Sequence, residues 1–322
     1  MDSHESKRPD DGSKEWKLIE KALMASQSEQ RTARRWGIFF KLLTFAYLAA
    51  VFMVIRAPMG EDAGRLGSGP HAAVIEVNGP IAADQDASAD NLVGALRDAF
   101  DNEDVLGVIL RINSPGGSPV QSGYVFDEIR RLKEVNPEMP VYAVIMDIGA
   151  SGAYYIAAAA DEIYADKASL VGSIGVIGSG FGFVEAMDKL GVERRLYTSG
   201  EHKAFLDPFS PQRAEEKQFW ESVLKVTHEQ FISQVKLGRG ERLIDDPELF
   251  SGLIWTGEQA VEKGLIDGLA SSSQLARDML GTEELVNYTL HKDPFVEFVE
   301  KFGASFGKGV AMFFGDQMMT MR

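Results

Sequence analysis

Two glycine-containing turns hold the residues best suited to chemistry, INSPGGSPV over 112–120 and DIGASGAYY over 147–155. In the second, Ser151 opens a helix between Gly149 and Gly152, so that its hydroxyl is exposed where backbone N–H groups and the positive helix end face the same space. This is a nucleophile with half an oxyanion hole. In the first, Gly116 and Gly117 let a backbone N–H approach an oxygen with no Cβ in the way, which supplies the other half. Either turn alone also reads as a capped helix start, and it is the pairing that points to acyl chemistry. A serine nucleophile needs a base. Of five histidines, His4 lies at the extreme amino terminus, His71 in a linker region, His228 on a long helix and His291 near the tail, which leaves His202 in TSGEHKAFLDPFSP. It adjoins Lys203, and a lysine serves as base when an apolar pocket disfavours its charged form. Ala204, Phe205 and Leu206 offer such a setting, against the plain alternative of a solvated surface charge.

The elements that must position these turns alternate in type. AAVIEV, VLGVILRI, VYAVIM and IYA read as strands, apolar on consecutive positions as a sheet covered on both faces requires. PVQSGYVFDEIRRLKEV and SGAYYIAAAA read as helices between them. A long helix from Pro211 to Leu237 places Trp220, Val223, Leu224, Thr227, Phe231 and Val235 on one face, as core or as subunit contacts. The alternation predicts an α/β domain around a mostly parallel sheet.

Composition narrows the setting. A chain of 322 residues with 45 % hydrophobic and 25 % charged content can bury a sizeable core, which excludes whole-chain disorder. The absence of cysteine removes disulfides, thiolate metal sites and cysteine nucleophiles together. A net charge of −15 argues against a nucleic-acid partner. Beyond Arg56 the chain carries 23 Lys and Arg against 41 Asp and Glu, a net charge of −18. Trp36 to Ile55 holds one charge, Lys41, and at 1.5 Å per residue its length reaches the roughly 30 Å of a bilayer core. Residues 36–56 are therefore expected to be a transmembrane anchor. Arg31, Arg34 and Arg35 on one flank, against Glu61 and Asp62 on the other, place the tail of residues 1–35 in the cytoplasm and the acidic remainder outside it. Residues 57–70 read as a linker, 71–281 as the enzymatic domain and 282–322 as an amphipathic extension. In that extension Phe295, Phe298, Val299, Phe302, Phe306 and Val310 fall near one helical face, while four charges oppose a second crossing.

Taken in order and spacing, NSPGGS, GASGAYYIAAAADEIYAD, SLVGSIGVI and SGEHKAFLDPFSP closely resemble the signal peptide peptidase A family of membrane-anchored bacterial serine peptidases. The resemblance implies a ClpP/crotonase-like fold preceded by one transmembrane helix, a Ser/Lys dyad without metal or cofactor, and degradation of remnant signal peptides at the cytoplasmic membrane. By this resemblance Ser151 is the nucleophile, Lys203 the general base and Ser173 the serine that hydrogen-bonds the lysine. Gly116 or Gly117, with Gly152, form the oxyanion hole. With one copy of the motif set, the chain resembles half-length members that assemble into a ring of about eight protomers, each lysine reaching a neighbour's serine. Rival readings are an acyl-CoA enzyme of the crotonase type, disfavoured by the anchor and the negative charge, and a non-catalytic membrane scaffold.

Overall fold

The computed structural model describes residues 69–290, together with residue 21 and residues 34–49 and 51–52. Residues 65–294 form one compact unit, and residues 1–64 with 295–322 fall in another. Within the second unit, residues 34–49 and 51–52 are helical. Among the described residues no helix is long and apolar enough to cross a membrane. Residues 50 and 53–56 of the expected anchor, most of the linker and of the 1–35 tail, and the apolar stripe of the extension lie outside the described residues.

The 65–294 unit is built on an eight-stranded sheet. Its elements run β1 (His71–Asn78), α1 (Ala89–Phe100), β2 (Val105–Ser114), α2 (Pro119–Val135), β3 (Val141–Ala150), α3 (Gly152–Ala157), β4 (Glu162–Ala165), β5 (Leu170–Gly172), α4 (Val184–Leu190), α5 (Ala214–Arg239), β6 (Ile254–Thr256), α6 (Gly257–Glu262), β7 (Gly268–Leu269), α7 (Ser272–Asp278) and β8 (Leu285–Asn287). The main path through the sheet is β6-β5-β3-β2-β1-β8, with β4 against β3 and β7 against β4. Every pairing is parallel except β5 with β6.

The strands are apolar on successive residues because both faces are covered. One face packs Ile75, Val77, Leu110, Ile112 and Ile145 with α1, α2 and α3; the other packs Val74, Ile109 and Val144 against Leu275 and Ala276 of α7. Each such side chain contributes roughly 1.5 to 3 kcal/mol by leaving water. Helix α2 begins where local chemistry dictates. Ser118 caps it by accepting the Gln121 N–H, and Pro119, which has no N–H to lose, takes the first helical position.

The feature that positions the site is a fork in the sheet. The first half of β3, Tyr142 to Ile145, pairs with β4, whereas its second half, Ile148 to Ala150, pairs with β5. Between the halves, Met146 and Asp147 are exposed. The end of β3 thus leaves β4 and lies between β2 on one side and β5 on the other.

Several expectations need correction. His71 is fully buried at the start of β1, its Nδ1 bonded to the Gly69 carbonyl at 2.8 Å and its Nε2 to the Tyr288 hydroxyl at 3.0 Å. It ties β1 to the residue that follows the edge strand β8 and is no part of a linker. The helix expected over 151–160 stops at Ala157, where the chain turns toward β4. The helix expected from Pro211 to Leu237 runs from Ala214 to Arg239 as α5; of its expected apolar face Phe231 and Val235 lie in the core and Val223 is exposed.

Candidate active site

Ser151 stands at the junction of β3 and α3 with φ 54° and ψ −123°, a conformation costly for any residue with a Cβ. Its neighbours enforce it. The Ser151 N–H donates to the Gly172 carbonyl at 2.8 Å, continuing the β3–β5 ladder by one residue, while its own carbonyl accepts the Tyr155 N–H at 3.0 Å and starts α3. A backbone that leaves a strand and enters a helix within one residue must turn sharply there, and its side chain projects at the turn. Helix α3 is itself fixed: the Tyr154 hydroxyl, fully buried, donates to the Leu265 carbonyl at 2.7 Å. Burial pushes that phenol well above its ordinary range.

Ser173 lies beside Ser151 by register, since Ala150 pairs with Gly172 and each serine follows directly. Adjacent strands run about 4.8 Å apart. Ser173 too is strained, at φ 51°, and its N–H donates to the Leu253 carbonyl at 2.7 Å. His228 of α5 supports the same turn, its Nε2 donating to the Ile174 carbonyl at 3.0 Å. A carbonyl can only accept, so the proton sits on Nε2. Sequence reasoning set His228 aside as a helix residue; its role depends on a contact 54 residues away, which no local pattern signals.

The first glycine turn closes over the second. A Cβ on Gly116, whose φ is 93°, would meet the Ala150 carbonyl oxygen and the Gly152 nitrogen at 2.6 Å and the Ser151 Cβ at 2.8 Å. On Gly117 it would strike the Ile81 carbonyl oxygen at 2.2 Å. Only glycine allows this approach. The hydrogen bonds then separate the two glycines. The Gly116 N–H donates to Ser114 Oγ at 3.1 Å, and the Gly116 carbonyl accepts the Ile81 N–H at 3.0 Å. Because the peptide is trans, the Gly117 N–H points away from Ile81. Among the described residues neither the Gly117 nor the Gly152 N–H has an acceptor. The Gly117 nitrogen lies 3.2 Å from where a Gly152 Cβ would stand. Of the two sequence candidates, Gly117 is the one with a donor to offer.

Lys203 is placed differently. It lies in a turn over 201–206, its N–H on the Gly200 carbonyl at 3.2 Å and its side chain exposed. It shares no hydrogen bond or ion pair with Ser151 or Ser173 among the described residues. The exposed side chain does not have the apolar setting expected for it, and Phe205, one of the residues expected to supply that setting, packs edge-on against Phe219 and Trp220. His202 is exposed in the same turn. The turn is nevertheless braced: Asp207 binds Arg194 and accepts from the Ser210 hydroxyl at 2.7 Å. Chiefly through that hydroxyl, and with help from Arg194, the Asp207 carboxyl stays below the usual range. A cavity of 590 Å³ lined by Gly178, Phe181, Leu206, Pro208, Glu216 and Trp220 opens beside this segment, and neither Ser151 nor Lys203 is among its walls.

The sequence profile of peptidase family S49 matches residues 133–285, which include Ser151, Ser173 and Lys203. A protease-named protein of Methanocaldococcus jannaschii is 30 % identical over 224 residues, 68 % of this chain and 71 % of that one. The chain belongs to peptidase family S49, the family of signal peptide peptidase A. An Enterococcus faecium protein named for signal peptide peptidase SppA is 32 % identical over 200 residues, 62 % of this chain and 58 % of that one. A Brucella abortus protein named Na(+)/H(+) antiporter NhaA is 46 % identical over 188 residues, 58 % of this chain but 25 % of its own length. The chain therefore spans about a quarter of that relative. In this S49 chain the mixed α/β sheet carries Ser151 at the end of β3 and the Gly116–Gly117 turn at the end of β2.

Proposed function

We propose that the chain is a serine endopeptidase in which Ser151 attacks a peptide carbonyl and Lys203 of a neighbouring copy acts as general base. The observation that carries this reading is the strained Ser151 with the unengaged Gly117 and Gly152 N–H groups beside it. Neutral Lys203 takes the Oγ proton as Oγ bonds to the carbonyl carbon, and the two N–H groups hold the developing oxyanion. The proton passes to the leaving amine, and water, deprotonated by the same lysine, releases the acyl group. Ser173, next to Ser151 by register, would hold the incoming lysine amine. Supply from another copy fits a Lys203 that is exposed and has no side-chain partner among the described residues.

For substrate, we propose signal peptides left in the cytoplasmic membrane. The name of the Enterococcus relative and the apolar run from Trp36 to Ile55 support this, the latter as an anchor that leaves the S49 domain on the outer side. A fluorophosphonate probe applied to membranes tests the chemistry. Labelling at Ser151, abolished in S151A, is expected; an unlabelled wild type would favour a scaffold or an acyl-CoA enzyme. Protease added to the outer face of spheroplasts should digest the domain, and a protected domain would reverse the topology.

A further inference from the structure

We propose that Ser114 is a positioning residue for the oxyanion hole, its hydroxyl holding the Gly116 N–H so that the Gly117 N–H is the donor offered to the substrate carbonyl. The inference rests on the peptidase reading above and assigns a role to a residue outside the dyad. Ser114 ends β2, pairs with Gly149 across a register shift and is fully buried. A hydroxyl with no access to water needs a partner in the protein, and the partner here is the Gly116 N–H at 3.1 Å.

Two consecutive peptide planes are each fixed by a hydrogen bond. Ser114 holds the plane between Pro115 and Gly116 through its N–H, and Ile81 holds the next through the Gly116 carbonyl at 3.0 Å. Ile81 also accepts the Ser118 N–H at 2.8 Å, beyond Gly117. Gly116 is the joint between the planes, and having no side chain it resists rotation only through its bonds. Removing the Ser114 Oγ leaves the Gly116 N–H buried without an acceptor. The plane then rotates to find one, and the joint carries Gly117 with it. A donor displaced by about 1 Å loses most of its effect on a developing charge while a ground-state peptide still binds.

The test compares S114A with wild type in the full-length chain, after fluorophosphonate labelling has been measured on wild type. S114A should lower kcat about 10- to 100-fold with KM unchanged. Affinity for a peptide aldehyde, whose adduct carries the oxyanion, should fall by the same factor, and affinity for the matching peptide amide should stay constant. A kcat within twofold of wild type overturns the proposal, as does a parallel loss of aldehyde and amide affinity, which marks a damaged groove. Should S114A not fold, residue-resolved amide exchange of wild type decides. Gly116 protected with and without the aldehyde, and Gly117 protected only with it, supports the assignment; the reverse overturns it. If wild type is not labelled at Ser151, the peptidase reading fails and this proposal with it, whereas labelled wild type with an unaltered S114A refutes this proposal alone.

Discussion

The two stretches that supply the proposed dyad are built on different physics. Around Ser151, residues 71–174 are tied by strand pairing, and the strained φ of Ser151 is enforced by bonds to Gly172 and Tyr155 on either side. From Gly175 to Arg213 the one regular element is the seven-residue α4. Apolar side chains there meet solvent, with Ile177 87 %, Phe181 82 % and Tyr197 88 % exposed. A nucleophile can be strained only where the surroundings over-determine its backbone. A base that must reach another copy belongs on a segment that its own protomer leaves uncovered. On the proposed reading, the exposed apolar groups of 175–213 are the surface a neighbouring copy would bury.

Mixing inactive variants gives the largest test of that contrast. S151A and K203A should each lower kcat by about 10,000-fold or more, without additivity, because the two groups act in one proton transfer. Mixed before assembly, they should recover about a quarter of wild-type activity, since random neighbours join an intact serine to an intact lysine that often. No recovery, with mixed oligomers verified, would place both groups in one protomer. A smaller loss, confined to the serine side, is expected for G117A. Its Cβ meets the Ile81 carbonyl, and displacing this one donor should cost about 100-fold in kcat with KM little changed. Loss of the oligomer instead would assign Gly117 to assembly.

H228A should lower kcat by about tenfold, because the Ser173–Ile174 turn loses the bond from α5 while the strand pairing persists. The pH optimum should be retained; its shift would make His228 a participant in proton transfer. The smallest effect concerns the foundation of the serine side. Glu128 of α2 is buried between Arg131 and Arg97, whose hydrogen bonds, Arg131 first, pull its carboxyl down to about 2. A depressed carboxyl stabilises the fold above its ordinary value near 4.5 and loses that contribution as pH falls toward 2. E128Q should therefore have a lower Tm than wild type at pH 7, by a few degrees, with the gap narrowing as pH falls from about 4.5 to about 2. A pH-independent gap would point to packing.

Legibility in sequence followed the range of the interaction. The α2 boundaries were readable to the residue, because Ser118, Pro119 and the apolar spacing all act within a few positions. Strands β2 and β3 were readable as long Val and Ile runs. Strands β5, β6 and β8, three residues each, had no periodicity to read, and exist because their partners present unpaired backbone. Met146 and Asp147 continue the β3 run in sequence, yet the fork leaves both exposed.

At the site the same division holds. The types of the proposed reacting groups, and the need for glycine at 116, 117 and 152, were set by sequence, since a Cβ or its absence is a property of the residue alone. Which glycine N–H remains free was decided by Ser114 and Ile81. The burial of His71 was decided by Tyr288, 217 residues away. Lys203 has apolar neighbours in sequence, yet its side chain is exposed, while Phe205 packs against Phe219 and Trp220. Sequence proximity specifies what a side chain is; whether it is buried, bonded or free depends on surfaces that meet only after the chain has folded, and those are fixed by the lowest free energy of the whole packing.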